Sequence, residues 1–354
     1  MNFEIKDGVL VKYTGNAPDV IIPSNVTEIG KEAFKDNRNI KSVIITDNVT
    51  VIGDSAFENC YNLEKITIPE GVTIIGECAF RCCSEIEKIV IPKGVTTISN
   101  MAFECCCYAE KIVIPESVTT IGEWAFSHCN YLKEIVIPDG VTTIGEGAFE
   151  NSYDLEKIVI PESVTEIGED AFTGTKWLED KKATEKNVVV VNGIAIARAD
   201  NIEESVNLEG IKVIHSRCFE NCGQVKKFVV SDGTKIGYNA FLTGKDFNIC
   251  LKHNDFYINI PIKQSEIINS EWSSKWFNFR TQRLFDFIGA GIEERESLFN
   301  RLEIPEYRYP IAVFMANVYD SEFFRAFVDV HFAKIQEYAQ NNDPDLLKLI
   351  SSKY

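Results

Sequence analysis

Cysteine is the residue type in this chain most able to do chemistry. There are 11, and five fall in two runs, Cys82-Cys83 and Cys105-Cys106-Cys107. Thiolates bind zinc, attack electrophiles and exchange disulfides. A zinc site needs ligand pairs at matched spacing, and the chain has no C-x-x-C with a second such pair. Cys60, Cys83, Cys106 and Cys129 recur every 23 residues, each three after a phenylalanine, and Cys222 repeats the placement later. This regularity predicts a buried ladder of small, weakly polar side chains. Cys78, Cys82, Cys105 and Cys107 lie outside that register. Cys82 and Cys105 hold equivalent positions one repeat apart. Stacked repeats about 4.8 Å apart would put them within the Cα range of a disulfide.

Other catalytic chemistry is poorly supplied. The four histidines are His128, His215, His253 and His331, and none has a partner at motif spacing. There is no G-x-S-x-G, Walker loop or H-E-x-x-H. His128 adjoins Cys129, but sequence neighbours rarely face each other, and Cys129 belongs to the ladder. The expectation is no catalytic residue, no metal site, no cofactor and no enzyme activity.

The elements that position these residues come from a repeat. Ala33-Phe34, Ala56-Phe57, Ala79-Phe80, Ala102-Phe103, Ala125-Phe126, Ala148-Phe149 and Ala171-Phe172 share one 23-residue spacing. Within a copy, Ile66 and Ile68 alternate as in a short strand with one buried face, and Pro69 ends it. Val72 and Ile75 point inward from a second extended stretch. Gly76 is expected to allow a sharp corner. Phe80 then fills the core while Ala79 leaves room for the next coil. One copy cannot cover its own apolar face, but stacked copies can. The fold class is therefore a mainly β solenoid followed by a small α-helical C-terminal region.

The pattern I-P-x-x-V-T-x-I-G-x-x-A-F at this period, over roughly residues 20 to 244, resembles the BspA-like leucine-rich repeat family. The resemblance implies a curved solenoid with a strand-lined concave face, and a binding or adhesion role typical of bacterial surface-exposed members. In the usual leucine-rich pattern the second, third and fifth strand positions face outward. The fifth column reads Ile44, Thr67, Val90, Val113, Val136 and Val159, with Val229 later. Lys65, Lys88, Lys111 and Lys157 run beside it, with Glu64, Glu87, Glu110 and Glu156. An apolar stripe edged by charge suits a protein partner. Thr67, Val90, Val113, Val136, Val159 and the four lysines are thus the candidate partner-binding face. β-propensity with solvating charge is the competing explanation. A further column, Asp54, Glu77, Glu123, Glu146 and Glu169, offers one carboxylate per repeat, too few to cage calcium. Asn25 and Asn48 match the glycosylation sequon only because V-T is part of the repeat.

The period lapses once, between Phe172 and Phe219. Val188–Val191, Asn192-Gly193 and Ile194–Ala197 read as a hairpin there. Phe3–Lys6, Asp7-Gly8 and Val9–Lys12 read as the same element at the start, capping an open solenoid end. The expected organisation is a capping hairpin over 1–19, a first repeat block over 20–182, an inserted hairpin with a second block over 183–244, and a strand pair with helical cap or module over 245–354. In that last part Phe247–Leu251 and Phe256–Ile260 form a strand pair. Trp272, Trp276, Phe277 and Phe279 make an aromatic cluster. Helices are expected through Leu284–Ile288, over 293–302 and 309–318, from Ser321 to Gln340 with Asp320 as N-cap, and from Pro344 onward with Asp343 as cap. Residues 331–350 resemble an ankyrin-type or other α-solenoid unit, which implies a second interaction module; a cap over the solenoid end is the alternative.

Net charge of −17 and a pI near 4.8 disfavour nucleic acid and anionic membranes as partners. No apolar run is long enough for membrane insertion. The expected partner is a protein, or no dedicated ligand at all if the array is structural or self-associating; an oligomer is not favoured. An odd cysteine count without framework spacing, and a start lacking a basic and apolar leader, favour the cytoplasm. The cell surface is the alternative, if an export signal was removed.

Overall fold

The computed structural model describes residues 2–254, 256–262, 284, 286–300, 302, 305–319 and 321–353. Two compact units divide the chain, Met1–Lys181 and Lys182–Tyr354.

The first unit begins with an antiparallel hairpin, Phe3–Lys6 with Val9–Tyr13, whose second strand pairs in parallel with Glu28–Ile29. Each later coil carries a three-residue strand, a two-residue strand and the turn that holds Ala-Phe. Strand registers advance by 23 residues, as in Lys111–Val113 beside Lys88–Val90. The Ala-Phe pairs are the axis of the core: Phe34 through Phe172 are buried, and consecutive rings stack 4.8–5.8 Å apart. A helix that the repeat did not foreshadow, Lys176–Thr184, follows Phe172, with Trp177 against its ring at 5.0 Å.

Glycine plays a different part from the one the sequence suggests. Gly76 is not left-handed; its missing Cβ would lie 2.5 Å from the Asp54 amide nitrogen of the preceding coil. Gly53, Gly122, Gly145 and Gly168 meet the same close approach. The tight turning falls to two left-handed residues flanking each Ala-Phe, such as Ser55 and Asn59, Cys78 and Cys82, or Met101 and Cys105. Most are not glycine, at a cost of about 1–2 kcal/mol each.

The strand ladder is interrupted. Lys65–Thr67 pairs with Ser42–Ile44 but not with Lys88–Val90, and Ile74–Ile75 does not pair with Thr97–Ile98. On the turn side the same two coils remain bonded, through Phe80 N–H to Ala102 O (2.8 Å) and Cys82 N–H to Glu104 O (2.8 Å). The coils thus part on the strand side only. Ile66 and Ile68, expected on the buried face of the strand, are half-buried because they line this opening. A second, smaller interruption separates Lys111–Val113 from Glu134–Val136, whose two-residue strands still pair.

The second unit repeats the opening device. Val188–Val191 and Ile194–Arg198 form an antiparallel hairpin that pairs in parallel with Val213–Ile214. Ser205–Leu208, Lys227–Ser231 and Phe247–His253 align in parallel, and Phe256–Ile262 closes that sheet antiparallel. Among the described residues, residues 286–289 are helical, and the helices Ile292–Phe299, Pro305–Val318, Glu322–Asn342 and Pro344–Lys353 follow. Pro305–Val318 and Pro344–Lys353 pack on strand Phe256–Ile262, continuing one core from Val206 to Ile350. Helix Glu322–Asn342 starts after Ser321, which caps it without a side-chain hydrogen bond, and runs through Asn342 rather than stopping at Gln340. Helix Pro305–Val318 starts at Pro305, not at 309, because Pro305 suits the first helical position; Pro310 then lies inside the helix, where it has no N–H to give the i→i−4 ladder. Asp343 Oδ1 accepts the Leu346 amide at 3.0 Å, the cap expected for the last helix. Asp320, Phe285 and the cluster Trp272, Trp276, Phe277 and Phe279 lie outside the described residues.

Candidate functional site: the strand face and the cysteine turn

On the first unit's strand face the fifth position forms a column. Ile21 is 65% exposed, Ile44 52%, Val90 43%, Val113 37%, Val136 62% and Val159 46%. Thr67 completes it, also exposed, whereas Val229 of the second unit is half-buried. Lys65, Lys88, Lys111 and Lys157 are all exposed in the parallel column two residues earlier, where Glu134 replaces lysine in one coil. Lys157 Nζ lies 3.4 Å from Glu134 Oε2, an exposed pair that adds about 0–1 kcal/mol. The structure therefore brings all nine sequence-selected residues onto one face. A strand's alternation accounts for this: Ile89, Ile112, Ile135 and Ile158 turn inward between each exposed pair.

What spacing could not reveal is the relief. The main interruption opens a cleft of about 670 Å³ lined by Lys65, Thr67, Lys88, Val90, Phe80 and Phe103. The smaller one opens about 340 Å³ between Val113 and Val136. These clefts give the face apolar floors with charged rims.

The turn side carries the thiols. Cys60, Cys83, Cys106 and Cys129 are fully buried, and each donates to a phenylalanine carbonyl of the preceding coil, at 3.1 Å for Cys60 and Cys83. Ser152 takes the same place and makes the same bond at 3.0 Å. Burial pushes these thiols up, Cys60 to about 12, so they are unreactive. Cys82 and Cys105 differ. Both are half-buried, at equivalent positions of adjacent coils, so each thiol acts on the other. The Cys105 thiol brings Cys82 down to about 7 against the opposing effect of burial, with Arg81 adding to it. Cys82 in turn pushes Cys105 up, with burial in the same direction. Arg81 is itself held by Glu104 (2.6 Å) and Glu58 (3.4 Å), and Glu58 by Lys35 (2.9 Å), a ladder of alternating charge across four coils.

The acidic column beyond the glycine is less passive than one solvated edge. Asp54 Oδ1 accepts the Glu77 amide at 3.0 Å. Burial, then Glu123 and Glu169, push the Glu146 carboxyl up. No group of three His, Cys, Asp or Glu poised for a metal occurs among the described residues.

Sequence reading missed one polar cluster entirely. Asp232 is buried, with Arg295 Nη2 at 2.7 Å and the Tyr319 hydroxyl donating to its other oxygen. His253 Nδ1 stands 3.4 Å from that carboxylate. Arg295 also donates to the Ile288 and Ala290 carbonyls, at 3.0 Å each. Burial, then Asp232, push Tyr319 up to about 12. The Arg295 nitrogens and the Tyr319 hydroxyl all have partners, so the cluster ties helices to the turn after strand Lys227–Ser231. These residues are far apart in sequence and share no motif.

Short parallel strands stacked coil on coil, with one phenylalanine per coil along the axis, define a leucine-rich-repeat solenoid carrying a small helical C-terminal region. The chain belongs to the BspA type leucine rich repeat family, whose pattern it matches in six copies over residues 4–133 and 128–248. Among solved structures it is similar to a T. pallidum leucine-rich repeat protein, at 30% identity over 48% of this chain and 81% of that one (TM-score 0.46). A leucine-rich cell surface protein from Faecalibacterium prausnitzii is 28% identical over 66% of this chain and 69% of that one (TM-score 0.47). A leucine-rich repeat protein from Bacteroides ovatus is 24% identical over 67% and 75%, respectively (TM-score 0.45). A search of curated proteins returned no match. Among the described residues no helix is long and apolar enough to cross a membrane.

Proposed function

We propose that this protein is a non-enzymatic interaction scaffold that holds a protein partner against the strand face of its first unit. The carrying observation is the exposed apolar column Val90, Val113, Val136 and Val159, edged by lysines and floored by two clefts. A partner that fits is a segment presenting apolar side chains at intervals of about 4.8 Å, the coil spacing, with acidic residues for the lysine column. Association through an apolar patch of this kind is driven by desolvation, with the charges setting register.

The test is Val113→Lys combined with Val136→Lys. These exposed positions leave the core intact, so the circular dichroism melt should not move. Binding of a captured partner should fall at least tenfold by interferometry; unchanged affinity would remove the strand face from the account. Light scattering across a concentration series separates this reading from self-association, because a scaffold for another protein stays monomeric alone.

The same reading favours a reducing compartment, supported by an odd count of 11 cysteines without the spacing of a disulfide framework. The name of the F. prausnitzii relative supports a cell surface instead. Fractionation of source cells with an antibody to this chain decides between them.

A further inference from the structure

We propose that Cys82 and Cys105 are a peroxide-responsive dithiol that closes to a disulfide between adjacent coils. Three observations converge on it. First, the backbones are already in register: Cys82 N–H donates to Glu104 O at 2.8 Å, which sets equivalent residues of the two coils about 4.8 Å apart, the strand spacing. That spacing lies inside the range of about 4.4–6.8 Å that a disulfide needs between Cα atoms. Second, both residues occupy the left-handed turn position, at φ 59° and 57°. Other coils fill that position with Asp36, Asn59, Asn151 or Gly174, types that tolerate it well. Cysteine there gains nothing conformationally. Third, both thiols are half-buried and so within reach of a small oxidant, unlike the sealed ladder of Cys83 and Cys106 one residue on. Arg81, fixed by Glu104 at 2.6 Å, stands beside the pair and favours the thiolate of Cys82.

The chemistry balances with hydrogen peroxide as oxidant. The Cys82 thiolate attacks one peroxide oxygen, the O–O bond breaks, and hydroxide leaves, taking up a proton to become water. Cys82 is then a sulfenic acid. Cys105 sulfur attacks the Cys82 sulfur; the S–S bond forms, the S–O bond breaks, and the second water departs with the Cys105 proton. Two thiols lose two electrons and one peroxide gains them. The bridge would clasp the two coils that no strand pairing joins, on the side opposite the cleft.

The experiment uses the full chain, fully reduced, desalted and treated with equimolar hydrogen peroxide. Remaining thiols are then alkylated under denaturing conditions and the intact mass is measured. The expected result is two of the 11 thiols protected, restored by dithiothreitol, with a tryptic cross-link joining 82–88 to 94–111 that fragments as Cys82–Cys105. Cys105→Ser should leave a Cys82 sulfenic acid trapped by dimedone, and Cys82→Ser should leave the remaining thiols unoxidised. Eleven alkylated thiols after peroxide, a cross-link mapping to Cys107, or equal oxidation of Cys82→Ser would each overturn the proposal. None of these results bears on the strand face, whose test is separate.

Discussion

The rings of Phe80 and Phe103 stack 5.3 Å apart and 5° from parallel, and both line the cleft between strands Lys65–Thr67 and Lys88–Val90. One pair therefore closes the core on the turn side and floors a depression on the strand side. Its neighbours, such as Phe34 with Phe57, stack the same way where the ladder is unbroken. The rings and the turn-side backbone hydrogen bonds, not the strands, keep these two coils together.

Phe103→Ala should consequently cost about 3–5 kcal/mol, the usual range for deleting a buried aromatic ring. Urea unfolding followed by far-ultraviolet dichroism measures it. A cost below that of an ordinary leucine truncation would mean that the column is not the main support of the stack.

Gly145→Ala should destabilise through overpacking, by about 1–3 kcal/mol. Its added methyl would sit 2.6 Å from the Glu123 amide nitrogen, and backbone cannot step aside as a side chain can. The same urea titration reads the loss.

Cys106→Ser should fold normally and change stability by no more than about 1 kcal/mol, because Ser152 already makes the equivalent bond to Phe126 O at 3.0 Å. Cys106→Val, which has no donor for the Phe80 carbonyl, should cost more. Thermal melts of the two variants provide the comparison.

Two carboxylates should give opposite pH responses. Burial opposes ionisation of Glu58, but the hydrogen bond from Lys35, with further help from Ser55 and Arg81, leaves its carboxyl below the usual 4.5. Its contribution is present above about that value and is lost as pH falls through the lower folded-state value. Glu146 is shifted up, by burial first and by Glu123 and Glu169 next, so its ionised form opposes folding. Glu58→Gln should therefore lower the melting temperature at pH 7 and have little effect once the pH is below both values. Glu146→Gln should raise it at pH 7, and that gain should vanish in acid. Melts at pH 3 to 8 test both signs.

Arg295→Met should cost about 3–5 kcal/mol by leaving the buried Asp232 carboxylate without its guanidinium partner. Adding Asp232→Asn should recover part of the loss. If Arg295→Met alone is silent in urea unfolding, the cluster does not hold the helices to their sheet.

Much of the fold was legible because a repeat states each local rule many times. The 23-residue Ala-Phe spacing fixed the coil, and alternation placed Thr67, Val90, Val113, Val136 and Val159 outward on one face. Asn192-Gly193 and Asp7-Gly8 marked both hairpins through local turn chemistry. The corner glycine was misread for a physical reason. A sequence shows that a side chain is missing but not why, and only the neighbouring coil reveals that Gly76 makes room for the Asp54 backbone.

Sequence by itself thus determined the repeat, the family, the outward column and the buried cysteine ladder, all set by interactions within a coil and its periodic copy. Tertiary structure alone decided where the ladder parts, which thiols stay half-buried, and how Asp232 meets Arg295 and Tyr319. Those depend on small displacements between coils and on contacts across 63 and 87 residues, which no local pattern encodes.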